Sequence, residues 1–141
     1  MTATPAITDL NAAPPIVQKL VDWLETTQLP YGLFADDVFI DFTLPQWRLQ
    51  ARGIKDTVAI RQNGHPAPGR VTRLRYDPIP GGFVLEWEEE WYGNGDHWYC
   101  REMMRAEVRD GAISDMSVYC TGDWSSDQSA RHVREVQLIR P

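Results

Sequence analysis

Glu89 and Glu102 are the residues of this chain whose type and setting most directly suggest chemistry, because strand alternation places both on an otherwise apolar face rich in tryptophan. A carboxylate taken out of water is costly unless it is paired or protonated. Desolvation raises a carboxyl pKa, and two neighbouring carboxyls push their titrations apart, so that one becomes a proton donor and the other a base. The chemistry implied is general acid–base catalysis on a small molecule. Trp87, Trp91 and Trp98 would supply flat apolar walls, Met104 and Met116 adaptable filler, and Phe42, Trp47, Val118 and Cys120 further lining. His65, within Gly64-His65-Pro66, is a third proton-carrying candidate, in a segment that reads as a loop able to cover a cavity. His97 beside a turn and His132 in the C-terminal segment are expected to be structural or exposed.

The elements that must position these groups follow from spacing. Gly93-Asn94-Gly95-Asp96 separates two strand-like runs, and its central Asn-Gly suits a two-residue type I′ turn. That turn sets Trp91 opposite Trp98, Glu89 opposite Cys100, Trp87 opposite Glu102, Leu85 opposite Met104 and Phe83 opposite Ala106, all on one face. Glu89 and Glu102 become diagonal neighbours with Cβ atoms about 7 Å apart. The other face carries Glu86, Glu88, Glu90, Tyr99, Arg101 and Met103, with Glu88 opposite Arg101; it is solvated or meets a second subunit.

A second hairpin turns at Arg109-Asp110-Gly111. A three-residue loop pairs Ala106 with Ser114, Met104 with Met116, Glu102 with Val118 and Cys100 with Cys120; a two-residue loop would instead turn Asp115, Ser117 and Tyr119 inward. The first is preferred because it buries Met116, Val118 and Cys120, and Tyr119 is kept as a lining candidate for the other register.

Upstream, Pro14-Pro15 opens a helix with the apolar stripe Ile16, Val17, Leu20, Val21, Trp23 and Leu24. Pro30 to Ala35 reads as a short second helix, Val38 to Phe42 as a strand ended by Pro45, Gly53 to Gln62 as a third helix and Val71 to Tyr76 as a further strand. Residues 1–13 are expected to be mobile, and residues 125–141 to form a C-terminal tail that begins with a short helix or extended segment. Helices followed by a mostly antiparallel sheet of four or five strands define an α+β class, with the helices covering one face.

The 141 residues suit one domain, 1–141. A formal charge of −6 argues against nucleic acid as a partner. No run of 18 apolar residues and no signal-like start is present, so no membrane partner and a cytoplasmic location are expected. Two cysteines and three irregularly spaced histidines offer no metal-binding pattern, and neither metal nor cofactor is expected. Cys100 and Cys120 are expected to be reduced core thiols.

Several short motifs, in this order, carry a family resemblance: Leu33-Phe34-Ala35-Asp36-Asp37 before a strand, Arg52-Gly53 opening a helix, and Asp110-Gly111-Ala112-Ile113. The chain resembles the nuclear transport factor 2-like superfamily. Tyr119-Cys120-Thr121-Gly122-Asp123-Trp124 and the Arg140-Pro141 end resemble its SnoaL-like, polyketide cyclase-like branch. The resemblance implies a cone-shaped α+β barrel, a curved sheet wrapped over N-terminal helices, an internal cavity and commonly a homodimer. It does not carry over a catalytic set. The general-base aspartate of ketosteroid isomerase falls at Phe42 and its oxyanion-hole aspartate at Met104. For limonene epoxide hydrolase one aspartate falls at Glu89, but the arginine falls at Trp87, the second aspartate at Val118, and the tyrosine and asparagine at Ile40 and Phe42.

The expected function is therefore a cofactor-independent enzyme of isomerase, dehydratase or cyclase type, acting on an apolar or aromatic small molecule through Glu89 and Glu102. Two alternatives stand beside it: a non-catalytic ligand-binding module, and an epoxide hydrolase with a relocated site. The structural alternative for the glutamates is neutralisation by an arginine such as Arg48, or a hydrogen bond from a Trp N–H, within a structural network. Asp41 alternates outward and is expected to be structural.

Overall fold

The structure, a computed structural model, describes residues 10–140. Leu10–Ala12 form a single 3-10 turn and Ala13 is buried, so the start expected to be mobile is folded from Leu10 onward; its first nine residues lie outside the described residues. Helix α1 (Pro15–Thr26) begins with proline at its first position, where the missing N–H costs nothing. It buries Val17, Leu20, Val21, Trp23 and Leu24, the stripe its spacing predicts, and ends at a left-handed Thr27 whose N–H bonds to the Trp23 carbonyl.

The remaining elements are β1 (Phe34–Leu44), β2 (Trp47–Arg52), α2 (Ile54–Gly64), β3 (Gly69–Ile79), β4 (Gly82–Gly93), β5 (Asp96–Arg109), β6 (Ala112–Cys120) and α3 (Ser126–Glu135). The strands form one six-stranded sheet in the order β2-β1-β6-β5-β4-β3, with only the β1–β6 pair parallel. Helices α1 and α2 pack on the face that carries Val38, Ile40, Leu74, Phe83, Leu85, Trp87, Met104, Ala106, Met116 and Val118. The class is α+β, and the open curved sheet is the cone expected.

Three expectations about elements are corrected. Pro30 to Ala35 is not a helix: after a turn at Tyr31-Gly32 the chain enters β1 at Phe34, and Phe34 is buried against Trp23 in an edge-on ring contact of 5.2 Å. Pro45-Gln46 is a tight turn, with Gln46 at φ +57, that folds β2 back on β1, so the sheet has one strand more than expected. Helix α2 runs on to Gly64, and His65 caps it rather than sitting in a lid.

The β4–β5 register is the one its Asn-Gly turn dictates, with Trp91↔Trp98, Glu89↔Cys100 and Trp87↔Glu102, and Asn94 and Gly95 at φ +51 and +76. The β5–β6 register differs from expectation. Arg109 pairs with Ala112 across a two-residue turn, yet Val108 pairs with Ile113 and Glu107 with Asp115, which leaves Ser114 as an extra residue on β6. This bulge restores the inward facing of Met116, Val118 and Cys120 and moves their partners by two: Cys120 lies opposite Glu102, not Cys100. Tyr119 consequently faces out and is 60% exposed.

Candidate active site

The helical face of the sheet encloses a pocket of about 490 Å³ between α1, α2 and β1, β4, β5 and β6. Its walls are mostly apolar, and Phe42, Trp47, Trp87, Met104, Met116 and Val118 are all in the lining. Trp47, on the edge strand β2, stays 66% exposed at the rim. The polar lining consists of Thr57, Arg61, Asn63, His65, Glu102, Cys120 and Asp123. Trp91, Trp98, Tyr119 and Glu89 do not line it. Trp91 and Trp98 stack on each other at 5.9 Å toward the hairpin turn, where the Trp98 indole N–H bonds to the Gly93 carbonyl, so they pack the end of the sheet beside the pocket.

Glu89 is removed from the lining by a residue one helical turn before His65. Arg61 and His65 lie four apart at the end of α2 and therefore on one helix face, which meets Glu89 and Trp91 of β4. Arg61 donates from both terminal nitrogens to the Glu89 carboxylate, at 3.0 and 2.7 Å, and one of those nitrogens also donates to the Leu24 carbonyl at 3.0 Å. The neutralising arginine is thus Arg61. Arg48 instead pairs with the outward Asp41, its Nε donating to Asp41 Oδ1 at 2.8 Å. Burial pushes the Glu89 carboxyl up, but the Arg61 charge and hydrogen bonds outweigh it and hold Glu89 below the usual carboxylate range. Arg61 is pulled down by burial and raised on balance by Glu89.

Glu102 receives no such partner. It is 5% exposed, lines the pocket, and has no cation within ion-pair distance among the described residues. Burial, then the neighbouring Glu89 charge, then Cys120 raise its carboxyl well above the ordinary value, against a smaller opposing pull from Arg61. The two carboxyls are therefore driven apart, Glu89 toward its ionised and Glu102 toward its protonated form.

His65 is 7% exposed and sits between two carboxylates: Nε2 lies 3.1 Å from Asp123 Oδ1, and Nδ1 lies 3.7 Å from Glu89 Oε2. Its ring stands 5.1 Å from that of Trp91. Asp123 follows β6 in the Gly122-Asp123-Trp124 segment, where Trp124 pairs with Tyr99 through two backbone hydrogen bonds and so fixes the approach of the segment. Arg61 and Asp123 are the site residues that sequence reasoning missed. Their signals were the i to i+4 spacing of Arg61 and His65, hidden by ending the helix at Gln62, and the conjunction of Asp123 with the turn after the last strand.

Donor atoms of His65, Glu89 and Cys100 lie within 4.8 Å of one another, as do those of Cys100, Glu102 and Cys120. Groupings of this kind can admit a thiophilic cation, but in the first both Glu89 oxygens are already bonded to Arg61.

No family model and no curated protein matches the chain. Solved structures do. A nuclear transport factor 2-like protein from Anabaena variabilis superimposes with a TM-score of 0.65 at 17% identity, covering 81% of this chain and 90% of its own. A candidate polyketide cyclase from Pseudomonas putida gives 0.61 at 12% identity, with 82% and 93% covered. A candidate ketosteroid isomerase from Kribbella flavida gives 0.54 at 20% identity, with 89% and 88% covered. At such identities the likeness is one of fold, and the chain has the nuclear transport factor 2-like fold. No helix of the described residues is long and apolar enough to cross a membrane.

Proposed function

We propose that the pocket binds a small, largely apolar ketone and catalyses proton transfer at the carbon beside its carbonyl, the step common to isomerisations, dehydrations and aldol-type cyclisations. The observation that carries this is the unequal pairing of the two glutamates: Glu102 stands buried in the pocket wall without a cation, while Glu89 behind it is clamped by Arg61, and burial and the Glu89 charge raise the Glu102 carboxyl. Glu102 donates a hydrogen bond to the carbonyl oxygen as negative charge develops there, and the hydrogen-bonded pair of His65 and Asp123 accepts the α-proton. Glu89 touches no substrate. Held in place by Arg61, it faces His65 Nδ1, and its charge raises the Glu102 carboxyl. The similarity in fold to a candidate polyketide cyclase and a candidate ketosteroid isomerase is in keeping with this chemistry.

The test is exchange of the α-protons of 2-tetralone in deuterated buffer, followed by proton NMR. Exchange faster than in buffer alone, lost in Glu102→Gln and in His65→Ala with binding retained, supports the proposal. Binding without exchange leaves the ligand-binding module. One observation favours a second reading, epoxide hydration: Arg61 brings from α2 into the pocket lining a guanidinium bonded to the Glu89 carboxylate, where the aligned position holds Trp87. Hydrolysis of styrene oxide that disappears in Glu102→Gln would select it. For the proposed homodimer, the outer face leaves Met103 and Tyr119 exposed, and sedimentation velocity distinguishes one chain from two.

A further inference from the structure

Cys120 ends β6 in the wall of the same pocket, directly opposite Glu102 and only partly buried. Its sulfur is better supplied with donors than a core thiol needs. The Gly122 N–H approaches Sγ to 3.3 Å, in a turn that Gly122 permits by taking φ +79. Cys100 Sγ, Cys120 Sγ and a Glu102 oxygen lie within 4.8 Å of one another. The two thiols are not equivalent. Cys100 is fully buried and absent from the lining. Its hydrogen bond to Cys120, then burial, push its own thiol up, whereas the same hydrogen bond, opposed by burial and joined by the Gly122 N–H, lowers the Cys120 thiol. Of the two, Cys120 is the sulfur that both faces the pocket and receives a backbone N–H able to stabilise a thiolate.

We propose that Cys120 is a nucleophile for α,β-unsaturated ketones that enter the pocket, with Glu102 supplying the proton that completes the addition. The Cys120 thiolate attacks the β-carbon and forms a C–S bond. The π electrons of the alkene move toward the carbonyl as an enolate, and Glu102 transfers its proton to the α-carbon. Glu102 then recovers from solvent the proton that Cys120 gave up. The sum is thiol plus alkene giving thioether, with no oxidant and no leaving group. This rests on Glu102 being the neutral acid described above, and it names enones as a ligand class for the site.

The experiment labels the full chain with phenyl vinyl ketone and, separately, with iodoacetamide, and follows each cysteine by peptide mass spectrometry. Expected is labelling of Cys120 about ten-fold faster than of Cys100 or of free glutathione, with Cys100→Ala slowing Cys120 toward both reagents. Glu102→Gln should slow the enone alone, because displacement of iodide needs no proton on carbon. The iodoacetamide arm also shows that the variant still folds around its pocket. Equal labelling of the two cysteines, a rate no faster than free glutathione, or a Glu102→Gln effect that is absent or the same for both reagents overturns the proposal. Adduct formation requires no turnover. A Glu102-dependent adduct without deuterium exchange into 2-tetralone would leave the covalent site standing and remove the enolisation proposal, and the converse result would do the opposite.

Discussion

Arg61 clamps Glu89 and leaves Glu102, a side chain of the same type on the neighbouring strand, without a cation, so their titrations move in opposite directions, and each direction has its own signature in stability. A carboxyl whose folded pKa is raised contributes favourably below its unfolded pKa and loses that contribution as pH climbs toward the folded value. Glu102 is such a group, so Glu102→Gln should be more stable than the parent at neutral pH, by a margin that shrinks toward about pH 4, where the unfolded carboxyl also takes its proton. Urea denaturation at several pH values checks this, and a margin that grows on acidification would refute it. Glu89 is the reverse case: its contribution is present above the ordinary carboxylate range and is lost as pH falls through its depressed folded value. Glu89→Gln leaves Arg61 buried without its counter-charge and should cost about 3–5 kcal/mol, read from the same titrations. The inward direction of both glutamates was legible from the Asn-Gly turn alone. Which of them is neutralised was not, since Arg61, though inside the expected helix, is a polar residue whose partner the apolar pattern does not record, and His65 lies beyond the expected end at Gln62.

Among the elements, the bulge at Ser114 decides what β6 presents to the pocket. Removing Ser114 leaves the pairings Val108↔Ile113 and Glu107↔Asp115 able to continue without interruption, so this deletion should fold with a loss of about 1–2 kcal/mol. Removing Ser117, in the regular part of the strand, turns Val118 and Cys120 outward and draws Tyr119 inward, and that variant should not fold cooperatively. Thermal melts followed by circular dichroism separate the two outcomes. The same bulge explains why the buried face of β6 was legible while its register was not. A three-residue loop and a two-residue loop followed by a bulge bury the same residues, and alternation records only the face. β2 was missed for a different reason: as an exposed edge strand mixing Trp47 and Leu49 with Arg48, Gln50 and Arg52, it has no buried face to impose a period.

Across the whole molecule, the pocket links the stability of the sheet to occupancy. A ligand at about a hundred times its Kd should stabilise the chain by about 2.7 kcal/mol, seen as a rise in Tm with 2-tetralone; no rise at saturation would show that the ketone binds elsewhere or not at all. The overall cone was legible because helix stripe, hairpin turns and motif order all point to the same layers. The pairing of β1 with β6 was not, because no local pattern joins segments so far apart in the chain. That parallel pair also has a consequence in time. The β4–β5 hairpin closes over a two-residue turn and can form early, but β1 must wait for β6, which is synthesised some seventy residues later. Phe42, from the first strand, and Glu102, from the fifth, come to line one pocket only after that closure, so a nascent chain ending before Ala112 carries His65 and Glu102 but neither Asp123 nor the wall that joins them.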